Sequence, residues 1–296
     1  MLGSTSGRLP DFVCVGGQRC ATSWLFEAIR GHPEVYLPRK EVHFFDHHYG
    51  DGLAAYRGLF APAGAGQRCG EISPDYLTDE EAVDRLAADL PSATRLIVML
   101  RNPVDRAYSH YRLLRCHGGC RNVSGFLEAF ERNPRVREMS LFGKYVGRLM
   151  ERVGAERVRC WTQEDVMGRP GAMVDEVFDW IGVSRGYRAA DLGSRHNVSA
   201  GAGWQGRLRL PALLAGLDRS PLGPAYRVAR RTPAAGRVRA WLQPSSGGGT
   251  SGPSEAERLA AWPSFEADVV ELERLTGFDL AHWRPGAGEA GRRAAA

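Results

Sequence analysis

The stretch that decides the fold runs from Phe12 to Trp24 and reads FVCVGGQRCATSW. An apolar run ends in two glycines and is followed by a cation, two hydroxyl residues and an apolar run of helical spacing. This order predicts a buried strand, a tight loop and a helix N-terminus, the usual arrangement of a phosphate-binding loop. A structural turn between any buried strand and helix would give the same pattern without binding an anion.

The glycine-rich loop, residues 17–23, has groups suited to an anion. Gly16 and Gly17 allow a sharp turn and a close approach of the backbone. We expect the N–H groups of 20–23 to point at the anion, and Arg19 adds a forked set of donors. The loop is not a Walker A motif, because no lysine stands before Thr22, so a nucleoside triphosphatase would lack its phosphate-binding lysine.

Composition bounds the class of protein. The chain has 296 residues, is 43% hydrophobic and carries a net charge of +5, which fits one α/β domain with an anionic ligand, although nucleic acid or a membrane surface would also suit the charge. No apolar run approaches a membrane span, and a first strand near residue 12 leaves no room for a signal peptide. We therefore expect a cytoplasmic location, or a chain trimmed of an anchor, with the cysteines kept as thiols in a reducing compartment.

A second candidate segment covers residues 39–46, RKEVHFFD, just after a predicted strand over 35–37. Ligand chemistry in α/β proteins lies at such strand ends. Glu41 stands between Lys40 and His43, which makes it a plausible general base. The alternative is a surface loop anchored by its two phenylalanines.

A third candidate follows the clearest buried strand, predicted over 94–100. Arg101 stands at its carboxyl end, and Asn102 and Pro103 predict the start of a helix. Ser109 lies two turns into that helix, on the side that can face the same ligand as Arg101. The alternative is a surface arginine–aspartate pair with an ordinary helical serine.

The remaining pattern predicts alternating helices and strands. A capping box over 78–81 is expected to open a helix that ends at Leu90, and Ser264 is expected to cap the last helix. Strands are predicted over 68–72 and 158–161, and helices over 23–29, 53–60, 124–133, 141–153 and 170–181. Cys116 and Cys120 lack a second ligand pair with zinc-finger spacing, so we do not expect zinc there.

The C-terminal third changes in composition. Asp218 is the only acid from 192 to 250, against nine arginines, and a Ser/Gly/Pro run follows. We expect one domain over 11–285, with 204–254 as a basic, flexible, lid-like insertion and 286–296 as a disordered tail.

Three motifs together resemble sulfotransferases that use 3′-phosphoadenosine 5′-phosphosulfate (PAPS), of the heparan-sulfate type or the bacterial sulfotransferase domain. GQRCATS, residues 17–23, is similar to the 5′-phosphosulfate loop of that family. RNPVDRAYS, residues 101–109, is similar to its 3′-phosphate motif. KEVHFFD, residues 40–46, resembles the segment whose glutamate acts as base. The likeness covers roughly residues 11–200.

The resemblance implies an α/β fold with a P-loop-like central parallel sheet flanked by helices, and a helical, partly flexible C-terminal lid. It implies transfer of a sulfuryl group from PAPS to a hydroxyl, less readily an amine, of a glycan, glycolipid or secondary metabolite, with no metal required. Glu41 would be the base, Arg19 and Lys40 would neutralise charge, and His43 would assist Glu41 or contact the acceptor. The implied donor-binding residues are Gly17, Gln18, Arg19, Cys20, Ala21, Thr22, Ser23, Arg101, Ser109, Arg195 and His196.

The chain departs from the family pattern at several positions. Arg19 replaces the loop lysine, and Ala21 replaces a glycine, a change that costs little if φ there is negative. Ile72 stands where the family often has lysine, which suggests a different acceptor. The Lys-Gly-Arg loop of the Golgi enzymes is not found, and the stretch 194–197, SRHN, is a candidate replacement.

Two other classes remain open. A small-molecule kinase would use the same fold, but the chain lacks the Walker lysine and a clear Walker B acid. A nucleic-acid binder would use the arginines of 192–250, where aromatic residues for base stacking are sparse. We therefore expect a small-molecule or glycan acceptor, no nucleic acid and no stable membrane insertion, with the oligomeric state left open.

Overall fold

The computed structural model describes residues 7–116, 118–120, 122–189 and 252–286. Within them, five parallel strands form one sheet in the order β2-β3-β1-β4-β5. The strands are β1 (Phe12–Gly16), β2 (Val35–Tyr36), β3 (Arg68–Ile72), β4 (Arg95–Leu100) and β5 (Val158–Thr162). The predicted parallel sheet is confirmed. The predicted insertion over 204–254 lies outside the described residues except for 252–254, and of the predicted tail only Gly286 is described.

Helices flank this sheet. They are α1 (Thr22–Ile29), α2 (Leu53–Gly58), α3 (Glu80–Asp89), α4 (Pro103–Cys116), α5 (Phe126–Arg132), α6 (Pro134–Arg137), α7 (Phe142–Val153), α8 (Gln163–Gly168), α9 (Pro170–Ile181), α10 (Glu255–Ala261) and α11 (Glu266–Thr276). Helix α1 packs on α9, while α3 and α11 pack on α7. In the described part of the chain, no helix has the length and hydropathy that crossing a bilayer requires.

The order of the strands positions the candidate site. Every residue of β1 is buried, as is β4 after Arg95, because both faces of a parallel sheet are covered by helices. Since β1 lies between β3 and β4, the segments that follow these three strands emerge side by side at one edge. Ligands of open α/β sheets bind at this edge.

The start of α3 differs from the prediction. Asp79 is the N-cap, and its side chain accepts a hydrogen bond from the N–H of Ala82 at 3.0 Å. Thr78 belongs to a preceding 3₁₀ turn, and its hydroxyl donates to the carbonyl of Asp75. The predicted capping box therefore starts one residue too early, because the extra turn takes Thr78 out of the cap position.

The C-terminal helices also begin elsewhere than predicted. Ser254 caps α10 in a capping box with Glu257, and the sequence analysis did not predict this helix. Ser264 lies in a 3₁₀ turn, and Phe265 occupies the N-cap of α11 without a side-chain hydrogen bond. The predicted cap of α4 is confirmed, because the Asn102 side chain accepts from the N–H of Val104 at 3.0 Å.

Candidate active site

In the glycine-rich loop, which connects β1 to α1, the residues with positive φ are not the glycines. Positive φ angles fall on Arg19 (71°) and Ala21 (65°), whereas Gly16 and Gly17 do not have positive φ. The glycines are needed for packing: a Cβ at Gly16 would lie 2.5 Å from Leu77 Cβ, and one at Gly17 would lie 2.9 Å from the Phe142 ring. The replacement of glycine by Ala21 is therefore not free, because a left-handed conformation costs an L-residue about 1–2 kcal/mol.

The loop also uses some of its own donors. The N–H of Cys20 donates to the carbonyl of Gly17 at 3.2 Å, so this group is already engaged within the loop. Ala21 is the N-cap of α1 and supplies no side-chain cap. The first N–H groups of α1 lack partners inside the helix, as at every helix start. Burial raises the pKa of the Cys20 thiol to about 12, so the thiol is not a nucleophile.

Two arginines and a serine bring the glycine-rich loop and α4 together. Arg101, which follows β4, donates from Nη1 to the carbonyl of Arg19 at 3.2 Å. Arg19 donates from Nε to Ser109 Oγ at 3.1 Å. Burial, and next the charge of Arg101, lower the pKa of Arg19. The two segments predicted to bind opposite ends of one nucleotide are thus in direct contact.

Further positive charge lies behind this contact, on α4. Arg106 is fully buried, and its Nη2 donates to the carbonyls of Arg135 and Val136 at 3.2 and 3.0 Å. Burial lowers its pKa to about 10, so it stays charged at neutral pH. Burial also lowers the pKa of His110 to about 3, which keeps that ring neutral.

Within the described residues, several cationic nitrogens here have no protein hydrogen-bond partner. They are Arg101 Nε and Arg106 Nε and Nη1, and all three are buried. Unpaired buried charge is costly in a low dielectric, so such groups usually face a bound anion or ordered water. The chemistry of this region fits a phosphate-bearing ligand.

Lys40 joins the glycine-rich loop to the Glu41 segment, residues 39–48. Its Nζ donates to Ser23 Oγ at 2.6 Å and to Glu41 Oε1 at 2.8 Å. The Glu41 side chain is 43% exposed and the Lys40 side chain 27%, so both reach solvent at this edge. A single lysine side chain therefore contacts both the predicted base and the end of the predicted phosphate loop.

His43 links Glu41 to a buried carboxylate. His43 Nε2 lies 3.9 Å from Glu41 Oε2, and Nδ1 lies 2.8 Å from Asp46 Oδ2. The Asp46 side chain is only 2% exposed. A carboxylate that holds one ring nitrogen orients the imidazole and directs the other nitrogen, here towards Glu41.

The backbone of the Glu41 segment is strained and held by β3 and the residues after it. Glu41 and His43 have φ of 58° and 55°, and with the two loop residues they are the non-glycine residues with positive φ in the described ranges. The N–H of Glu41 donates to the carbonyl of Ile72 at 3.0 Å, and that of His43 donates to Ser73 Oγ at 3.1 Å. Strain of this kind costs roughly 1–3 kcal/mol per residue and persists where neighbours enforce it.

Glu71 holds the residues that contact the Glu41 segment. This fully buried carboxylate accepts hydrogen bonds from Tyr56 at 2.6 Å, Ser73 at 3.1 Å and Tyr76 at 3.3 Å. The Tyr76 oxygen in turn accepts from the N–H of Phe44 at 2.7 Å. Burial raises the pKa of Glu71 to about 7, although the three hydroxyl donors oppose this shift.

The structure brings most of the predicted site residues to one edge of the sheet, while Arg195 and His196 lie outside the described residues. The sequence analysis missed two supporting groups, the Glu71–Ser73–Tyr76 network and the buried Arg106. The signal for the first was a carboxylate at the end of a buried strand followed by hydroxyl residues at 73 and 76. The signal for the second was an arginine on the inward stripe of α4.

Known proteins resemble this chain in sequence over a limited segment. The chain is 41% identical over 109 residues to human heparan sulfate glucosamine 3-O-sulfotransferase 3B1, covering 37% of this chain and 28% of the relative. It is 43% identical over 104 residues to mouse heparan sulfate glucosamine 3-O-sulfotransferase 6, covering 35% and 30%. A membrane-associated sulfotransferase, kil1 of Dictyostelium discoideum, is 30% identical over 107 residues, which cover 35% of this chain and 22% of the relative. The matches thus span less than a third of each relative.

The fold extends the likeness beyond that segment. The crystal structure of a sulfotransferase from Alicyclobacillus acidocaldarius aligns with a TM-score of 0.65 at 22% identity, covering 93% of this chain and 99% of that one. No family model matches the chain. The class is therefore that of the sulfotransferase fold, and the predicted resemblance to the sulfotransferase family is confirmed. The relatives in sequence named above are two heparan sulfate 3-O-sulfotransferases and kil1.

Proposed function

We propose that the protein transfers a sulfuryl group from PAPS to a hydroxyl of an acceptor, with Glu41 as the general base. The observation that carries this proposal is the bridge made by Lys40 between Ser23 Oγ and Glu41 Oε1. It brings the end of an anion-binding loop beside a solvent-accessible carboxylate. A sulfuryl transferase needs this pairing, because the donor's leaving phosphate and the acceptor's proton must be handled at adjacent places.

The residues on the donor side fit a nucleotide with phosphates at both ends. The N-terminus of α1 and Arg19 would hold the 5′-phosphosulfate. Arg101, whose buried Nε has no hydrogen-bond partner in the part of the chain that the structure describes, and Ser109 would hold the 3′-phosphate. When bound, the donor supplies an activated sulfuryl group on a good leaving phosphate. The buried charge of Arg106 adds positive potential where negative charge would develop on that phosphate.

On the acceptor side, Glu41 would accept the proton of the attacking hydroxyl. Lys40 holds one carboxylate oxygen of Glu41, and His43 Nε2 faces the other at 3.9 Å. These contacts orient the carboxylate, and the lysine also lies at Ser23, where charge on the leaving phosphate would develop. Glu41 and His43 both have positive φ, and hydrogen bonds to Ile72 and Ser73 hold their backbone in place.

The names of the relatives indicate the class of acceptor. The 3-O-sulfotransferases act on heparan sulfate glucosamine, so a hydroxyl of a glycan is the first acceptor to test. Ile72, fully buried in β3, offers no cation at the place where the resembled family often has lysine. We therefore place a glycan, a glycolipid or a hydroxylated metabolite of lower negative charge ahead of a highly sulfated chain.

The proposal is tested by donor-dependent mass spectrometry with the full chain. PAPS, adenosine 5′-phosphosulfate and ATP are each supplied with a panel of glycans, glycolipids and hydroxylated metabolites. The expected result is a mass gain of one sulfuryl group with PAPS only. Phosphoryl transfer from ATP would favour a kinase and overturn the proposal. Binding of adenosine 3′,5′-bisphosphate no tighter than that of adenosine 5′-monophosphate would also overturn it.

A further inference from the structure

Two histidines and a carboxylate converge at the one-turn π-helix Phe44–His48. His43 precedes the turn, and its ring stacks on that of His47 with centroids 5.0 Å apart. Asp46 lies between them, with Oδ2 at 2.8 Å from His43 Nδ1 and 3.8 Å from His47 Nε2. One ligand atom from each of the three residues lies within 4.8 Å of the other two.

We propose that His43, Asp46 and His47 form a binding site for one late first-row divalent cation, with Zn²⁺ as the best fit. Two imidazoles and one carboxylate form a ligand set that suits zinc, with water as a fourth ligand. Zinc bonds of about 2.0–2.1 Å place tetrahedral ligand atoms about 3.3 Å apart. His43 Nδ1 and Asp46 Oδ2, at 2.8 Å, would therefore move about half an ångström apart, whereas His47 Nε2, at 3.8 Å from Oδ2, would move about as far towards it. The His47 side chain is 65% exposed, which leaves it room for this adjustment.

Groups around the three ligands already orient them as a metal site requires. Asp46 Oδ1 accepts from the N–H of His47 at 2.8 Å, which fixes the carboxylate with Oδ2 towards both rings. His43 Nε2, the nitrogen that the metal would leave unused, lies 3.9 Å from Glu41 Oε2, so a carboxylate stands on the outer side of this ring, as is common around zinc. The backbone N–H of His43 is held by Ser73, so the site is built on a fixed segment.

A bound cation would act on the chemistry next to it. A metal on Nδ1 and Oδ2 would replace the hydrogen bond between His43 and Asp46 that orients the His43 ring beside Glu41. We therefore expect zinc to inhibit turnover, and this consequence, unlike the site itself, rests on the proposed function.

The site is tested without donor or acceptor, so its failure is separate from failure of the transferase proposal. Zn²⁺ is titrated into the full chain in competition with a chromophoric chelator. We expect one tight site, and we expect His47→Ala to weaken it by more than about 100-fold, because losing a ligand costs more than the 10–100-fold of an outer contact. His48→Ala is the matched control, since His48 is the adjacent exposed histidine and pairs with Asp51.

Cobalt distinguishes this site from binding by the six thiols. Co²⁺ bound by two histidines and a carboxylate gives visible d–d bands without a thiolate charge-transfer band. A thiolate band, an equal loss of affinity in the His48 variant, or unchanged affinity in the His47 variant would each overturn the proposal. In the turnover assay, the ratio of rates with and without zinc should be low for the wild type and close to one for His47→Ala.

Discussion

The sheet edge has a donor side, with Arg101 and Arg106, and an acceptor side, with Asp46 and Glu71 around the Glu41 segment. The two sides differ in how their buried polar groups are hydrogen-bonded. On the donor side, Arg101 and Arg106 keep buried nitrogens that have no hydrogen-bond partner among the described residues, and the neighbouring loop backbone has positive φ at Arg19 and Ala21. On the acceptor side, each oxygen of the buried carboxylates of Asp46 and Glu71 has a hydrogen-bond partner. The donor side thus provides positive potential for an anion, and the hydrogen bonds on the acceptor side fix the position of one exposed carboxylate, Glu41. Removing a charge should affect binding on the first side, and removing a contact should affect turnover or folding on the second.

The largest expected effect is at the exposed carboxylate. Glu41→Gln should lower kcat by roughly 10²–10⁴, the span for loss of a positioned base, while affinity for adenosine 3′,5′-bisphosphate is retained. Steady-state rates and nucleotide titration measure the two quantities. Glu27→Gln, which changes an exposed carboxylate paired with Arg30, is the control. Normal turnover in the Glu41 variant would remove Glu41 from the role of base.

The next effect is on stability and comes from Glu71. Its folded pKa of about 7 lies above the ordinary 4.5, so between these values the folded state holds a proton that the unfolded state releases. Stability from this group is therefore complete below about pH 4.5 and is lost as the pH rises to 7. Glu71→Gln cannot titrate, so its unfolding free energy relative to wild type should rise by up to about 3 kcal/mol across this window.

Urea unfolding at a series of pH values measures this difference. Glu81→Gln, an exposed carboxylate on α3, is the control and should follow the wild type at every pH. Parallel stability curves for wild type and the Glu71 variant would contradict a buried, proton-holding Glu71.

A smaller effect is expected from the donor side. Arg101→Ala should weaken binding of the 3′-phosphorylated donor by about 10–100-fold, the value of a lost charge-assisted hydrogen bond, and leave adenosine 5′-phosphosulfate nearly unaffected. Arg95→Ala, at the opposite end of β4, is the matched control. If both nucleotides weakened equally, Arg101 would not be the 3′-phosphate contact.

The smallest effect concerns backbone strain in the loop. Ala21→Gly should raise the unfolding free energy by about 0.5–1 kcal/mol, because glycine adopts φ of 65° without the penalty that alanine carries. Ala88→Gly, the same change at an exposed position of helix α3, should lower stability by a similar amount. Thermal unfolding of both variants checks the opposite signs. A loss of stability at both positions would mean that Ala21 is not strained.

Much of the fold was predictable because it depends on local patterns. Strand β3 was predicted at its observed bounds, directly before the turn at Ser73 and Pro74. Helix α9 was predicted at its observed bounds because its apolar residues form one helical stripe. The start of α3 was misplaced because the 3₁₀ turn before it is set by contacts of Tyr76 with Glu71 and Phe44, not by the local sequence.

Local patterns predicted the strand–loop–helix at residues 12–24, the cation at the end of β4 and the carboxylate between Lys40 and His43, because motifs of short spacing carry their own chemistry. The folded chain adds that Lys40 joins Ser23 to Glu41, that Glu71 supports the Glu41 segment and that Arg106 is buried. These relations join residues far apart in the chain. The order of the strands in the sheet brings them together, and neither periodicity nor spacing encodes that order.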